Sequence, residues 1–181
     1  MASIEGRPPG ESVSGEAGDV VSGEVTIRQG GARSVTAQEV TIRQGRARSV
    51  TAREVTIRQG GAGRVNAQEL DVLQGGVVWA RTQALGVTAG GVVAAIADTT
   101  ELKQSWAQVL AARQSVTMDQ AAAGLVVSTS AHARDSAIGL VLAREFHGEG
   151  VRVLMGTRAA FAFGAGLGLA LALHATLRRR R

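Results

Sequence analysis

His132 and His147 stand fifteen residues apart, Arg134 and Glu149 lie two positions beyond them, and Asp119 lies fifteen before Arg134. Two imidazoles and a carboxylate make a ligand set that zinc accepts, provided the fold brings positions fifteen apart into contact. The plainer reading of the same residues is an alternating salt-bridge ladder with exposed imidazoles beside it. That reading is preferred: no metal site, no catalytic residue and no cofactor are assigned. No Ser-His-Asp arrangement has a supporting motif, and no small-molecule substrate is evident. The glycine pairs are not phosphate cradles, because no strand–Gly loop–helix unit surrounds them and the one lysine, Lys103, is not in a Walker position.

A second set of chemistry-bearing residues is cationic. Arg28, Arg43 and Arg58 recur at fifteen-residue intervals, as do Arg33 and Arg48. Residues 24–68 hold eight Arg against three Glu. Stacked on neighbouring strands, such residues would form a wall for anions, either nucleic acid or lipid headgroups. They would equally serve as a solvated, aggregation-resistant β surface.

The elements that must position these residues are set by a repeat. Glu-Val-Thr-Ile-Arg-Gln-Gly occurs at Glu24, Glu39 and Glu54. The same apolar columns continue beyond the identical copies: Val25, Val40, Val55, Leu70, Leu85, Thr100, Val116, Ala131, Phe146, and two residues on Ile27, Ile42, Ile57, Val72, Val87, Leu102, Met118, Ala133, Gly148. Every step is fifteen except Thr100 to Val116, which is sixteen, so one extra residue sits near Ala112–Ser115. Within each repeat apolar and polar residues alternate, and Gly-Gly interrupts. Period two means strand, and glycine pairs mean turns. A fifteen-residue unit of two short strands cannot bury its own apolar face, but stacked copies can. The expected fold is all-β: a single-domain β-solenoid of about nine coils over residues 24–158, a rod of roughly 40 Å at the ordinary strand spacing.

In-register stacking aligns Gln29, Gln44, Gln59, Gln74, Gln104 and Gln120, whose amides can donate to one coil and accept from the next. Gly30, Gly45, Gly60, Gly75 and Gly90 form the next column and are expected at corners with positive φ.

One outer face drifts in character. Early coils carry Ser34, Thr36, Ser49 and Thr51 there; later coils carry Trp79, Ile96, Val109, Leu125, Val127, Leu140, Leu142 and Met155. Strands apolar on both faces require a cover, so this wall is a candidate self-association surface.

Residues 159–177 are uncharged, and Arg178–Arg181 follow. Nineteen residues approach the length of ~20 that spans a bilayer. The segment, with Phe161, Phe163, Leu167, Leu169, Leu171, Leu173 and Leu177, is expected to be an apolar helix in a membrane. The alternative is that it docks on the apolar wall of its own chain or of a second one. Terminal arginines favour the cytoplasmic side, yet the first residues lack the apolar core of a signal peptide, so topology stays open. Residues 1–23 read as a leader, either disordered or a weak capping coil, and Ile4-Glu5-Gly6-Arg7 matches a protease site used in expression vectors.

The composition narrows the function classes. Cysteine is absent, which excludes disulfides and thiolate metal sites. Aromatic residues make up 3%, too few for base stacking. The net charge of +5 favours anionic partners. The fifteen-residue columns over residues 25–158 resemble β-solenoid proteins, and in architecture are loosely similar to the bactofilins, bacterial polymer-forming cytoskeletal proteins. That resemblance implies self-assembly and membrane association. The expectation is a non-enzymatic structural protein, homo-oligomeric, on the cytoplasmic face of a bacterial membrane. Its alternatives are an anion-binding module and a soluble solenoid with a docked tail.

Overall fold

A strand with one apolar face, repeated every fifteen residues, buries that face most completely by coiling so that all such faces point to one axis. The computed structural model describes residues 11–155, and in it the chain takes this solution. β1 (Glu11–Val21) and β2 (Glu24–Thr36) each run through most of a coil. Then come paired short strands: β3 (Glu39–Ile42) with β4 (Gly45–Thr51), β5 (Glu54–Ile57) with β6 (Gly60–Asn66), and β7 (Glu69–Val72) with β8 (Gly75–Arg81). β9 (Ala84–Thr88) leads into the long strands β10 (Gly91–Lys103), β11 (Trp106–Asp119), β12 (Ala122–Arg134) and β13 (Ala137–Glu149), and β14 (Arg152–Met155) ends the series. Every ladder is parallel, and the fourteen strands form one sheet. The architecture is a parallel β-solenoid of about nine coils.

The register follows the sequence columns. Val25 pairs with Val40, Val40 with Val55, Val55 with Leu70 and Leu70 with Leu85. Thr100 bridges Leu85 and Val116, and Ala131 bridges Val116 and Phe146. The inward column Ile27, Ile42, Ile57, Val72 and Val87 is buried. Burying each such side chain favours folding by ~1.5–3 kcal/mol, set against the chain entropy lost on ordering the coil.

The sixteen-residue step lies where the spacing placed it. The β10–β11 register shifts between Ala97 and Thr99, opposite Ala112 and Ser115, and β11–β12 shifts between Ala111 and Ser115. The surplus is absorbed as an outward bulge at exposed Arg113 and Gln114. Two contacts hold it: Thr129 Oγ1 donates to the Arg113 carbonyl at 2.7 Å, and Arg113 lies 3.8 Å from Asp98.

The corners correct one expectation. Of the column Gly30 to Gly90, Gly30 (φ 134°) and Gly60 (φ 141°) hold positive φ, while Gly45, Gly75 and Gly90 do not. Those three are required by close approach instead: a Cβ on Gly45 or Gly75 would collide with the carbonyl oxygen of the glycine one coil back, and one on Gly90 would sit 2.7 Å from the Gly75 oxygen. From the fifth repeat onward the left-handed residue moves one position upstream, to Ala89, Gln104, Gln120 and Asp135, with φ between 46° and 52°. From the sixth repeat the glycine position also carries a Cβ, and Ser105, Ala121 and Ser136 are buried there. The Ser136 hydroxyl donates to the Arg134 carbonyl at 2.7 Å and accepts from the Ala121 N–H at 3.2 Å.

At the last coil the Phe146 ring lies over Gly148, where a Cβ would be 2.9 Å from it, and Val151 closes on the same spot. The ring takes the space that a side chain at this position would fill, and is itself 39% exposed. The expected helix over 159–181, the segment from Phe161 to Leu177 and the leader before Glu11 lie outside the described residues. Among the described residues no helix is long and apolar enough to cross a membrane.

Candidate functional site

Three surfaces carry the residues singled out by the sequence. The first is the apolar wall. Outward side chains two apart on one strand form two columns along the rod. One runs Ser34, Ser49, Arg64, Trp79, Ala94, Val109, Leu125, Leu140, with Met155 as the register partner of Leu140. The other runs Thr36, Thr51, Asn66, Arg81, Ile96, Ala111, Val127, Leu142. The structure therefore brings all eight predicted wall positions onto one face. It adds Ala94 and Ala111, which sequence reasoning passed over because alanine carries little hydropathy signal. Trp79, Ile96, Val109, Val127 and Leu142 are each 38–41% exposed, so within the described residues nothing covers them. The adjacent inward column, from Val35 to Val141, is buried, so these strands are apolar on both sides.

The second surface is cationic. Arg28, Arg43 and Arg58 follow Ile27, Ile42 and Ile57, whose register stacks them coil over coil. With Gln29, Gln44, Gln59 and Gln74 they line an open groove of about 870 Å³ parallel to the rod axis. Leu73 and Thr88 take over the arginine position in the next coils and end the charged stretch. The amides beside the arginines form a ladder: Gln29 Nε2 donates to Gln44 Oε1 at 3.4 Å, Gln44 to Gln59 at 3.1 Å and Gln59 to Gln74 at 3.3 Å. Ala89 interrupts it, and Gln104 resumes by donating to Gln120 at 3.3 Å. Arg33 and Arg48 are not part of this groove. They line a smaller recess of about 420 Å³ with Arg46, which sequence reasoning missed, and Glu16. Among the described residues, none of these arginines lies within ion-pair distance of a carboxylate; the ion pairs there are Lys103–Glu101, Arg113–Asp98 and Arg134–Glu149.

The third surface is the histidine pair. His132 and His147 are register partners whose rings stack with centroids 5.2 Å apart and planes within 8°. Beside them Lys103, Asp119, Arg134 and Glu149 occupy one column of alternating sign. Arg134 reaches Glu149 at 3.7 Å, and Lys103 meets Glu101 on its own strand at 2.6 Å. The Glu101 carboxylate raises the Lys103 ammonium above its ordinary value, by hydrogen bonding first and by charge second. The sign-alternating ladder read from the spacing is thus present, with one member more. No group of three metal-ligating side chains gathers among the described residues.

No protein-family model, curated protein or solved structure matches the chain. The parallel solenoid part of the bactofilin resemblance is present; the closer relationship has no counterpart in these comparisons.

Proposed function

We propose that the protein is a structural scaffold: a rigid solenoid attached to a membrane through residues 159–177, whose copies meet through the apolar wall. One observation carries the reading. Five large apolar side chains, from Trp79 to Leu142, lie solvent-facing in two adjacent columns, in a chain whose early coils hold polar residues at the same positions. A contiguous apolar face of this kind is an interaction surface by default. Parallel strands paired in register from Val109 to Leu142 present it as one continuous face, which suits association better than catalysis.

The test uses the full chain with phosphatidylglycerol-rich vesicles. Flotation reports attachment, and energy transfer between differently labelled copies reports association. The protein should float with the vesicles after a high-salt wash and show transfer; Val127→Glu with Leu142→Glu should float equally and lose transfer. Protein released by salt alone, or transfer unchanged in the double variant, refutes the corresponding half.

A second reading is favoured by the groove of Arg28, Arg43 and Arg58: an anion-binding module for nucleic acid or anionic lipid. The three guanidinium groups share one open face with a row of amides that retain free donors. It predicts salt-sensitive retention on DNA or on anionic vesicles.

A further inference from the structure

The wall and the tail match in place, length and width. The last described residue, Met155, belongs to the first wall column, so the described part of the chain ends at the wall. Gly156, Thr157 and Arg158 then separate it from the uncharged segment 159–177. From Met155 back to Trp79 the column climbs through Leu140, Leu125, Val109 and Ala94. Five coil steps at ~4.8 Å give a wall of about 24 Å. Nineteen residues as a helix measure about 28 Å. The two wall columns lie two residues apart on each strand, ~7 Å, well within the ~10–12 Å width of a helix. Beyond Trp79 the column becomes Arg64 and Ser49, and at the matching distance along the tail the apolar run gives way to Arg178.

We propose that, without lipid, residues 159–177 fold back along the wall of their own chain, antiparallel to the direction in which the coils advance. This rests on the membrane-scaffold reading and deepens it. The segment is apolar on all sides, so docking buries one side and leaves the rest exposed. Lipid covers every side, so a bilayer competes for the tail. Insertion then uncovers Trp79, Val109 and Leu142 for a second copy, which couples attachment to association.

The chain has no cysteine, so a cysteine pair reports on proximity without background. At ~1.5 Å per residue, Leu169 lies about 15 Å along the tail from Ala159, three coil steps back from Met155 and level with Val109. Full-length Val109→Cys/Leu169→Cys should form an intrachain cross-link in lipid-free buffer, and Val109→Cys/Phe161→Cys should not. An interchain cross-link would place a second copy on the wall and overturn the proposal, as would the absence of any cross-link. Should the cysteine variants misfold, Trp106→Phe leaves Trp79 as the one indole. Its acrylamide quenching in the otherwise intact chain should be low, and should rise on adding phosphatidylglycerol vesicles at no more than one copy per vesicle, where no second copy can cover the indole again. Full quenching before lipid is added overturns the proposal. An intrachain cross-link that persists with vesicles supports the docked tail while refuting membrane attachment, so the two failures are distinguishable.

Discussion

The Gln44 amide donates to Gln59 Oε1 at 3.1 Å while its own Oε1 accepts from Gln29 at 3.4 Å. Each interior glutamine therefore both gives and receives along the rod, whereas Gln29, at the end of the row, only gives. Removing an interior member breaks two bonds and removing Gln29 breaks one. Exposed hydrogen bonds contribute at the low end of ~0.5–1.5 kcal/mol each. Urea titration should show Gln59→Ala costing about 1 kcal/mol and Gln29→Ala roughly half of that. Equal costs would mean that the ladder contributes nothing.

The two kinds of corner predict opposite signs for exchanges between glycine and alanine. Gly60 combines φ 141° with a backbone oxygen where a Cβ would stand, so Gly60→Ala should cost at least ~2 kcal/mol. Ala89 holds φ 52° with an L side chain, so Ala89→Gly should gain ~0.5–1 kcal/mol. Thermal midpoints of the two variants, one lowered and one raised, check the assignment.

The charge column next to the histidines makes a third case. Arg134 separates Asp119 from Glu149, and Arg134→Glu would set three like charges on adjacent strands. A loss of about 1 kcal/mol is expected, diminishing at 1 M salt, where the screening length falls to ~3 Å. A loss independent of salt would mean that the arginine stem, not its charge, supports the last coils.

For the groove, Arg28→Gln, Arg43→Gln and Arg58→Gln together should flatten the salt dependence of duplex DNA binding. Three fewer phosphate contacts reduce the log–log slope by roughly 2.7. An unchanged slope on DNA, together with unchanged retention on anionic vesicles, would end the anion-binding reading.

The solenoid was legible because its cause is repetitive. Val25 through Phe146 and Ile27 through Gly148 keep apolar character at fixed spacing, and even the bulge at Arg113 shows as a one-residue change of step. The amide ladder was legible for the same reason. The left-handed corners at Ala89, Gln104 and Gln120 were not, since alanine and glutamine carry no preference for that conformation; the stacked coils impose it. Nor could spacing reveal that Phe146 turns its ring over Gly148, because that contact belongs to the end of the array. The grouping of Arg46 with Arg33 and Arg48 depends on how the corner folds. Residue type marked the apolar wall, but the structure was needed to resolve it into two columns and to leave both facing solvent.

Strict register makes the coil a unit of growth. Duplicating residues 39–53 would insert one coil, lengthen the rod by ~4.8 Å, and add one arginine and one glutamine to the groove. It would leave every contact between Trp79 and Leu142 as it is. Duplicating a coil near Leu125 would extend the wall and spare the groove. The two surfaces can thus be lengthened independently by whole-repeat duplication, and the three near-identical coils at Glu24, Glu39 and Glu54 are what such an event leaves behind when it is recent.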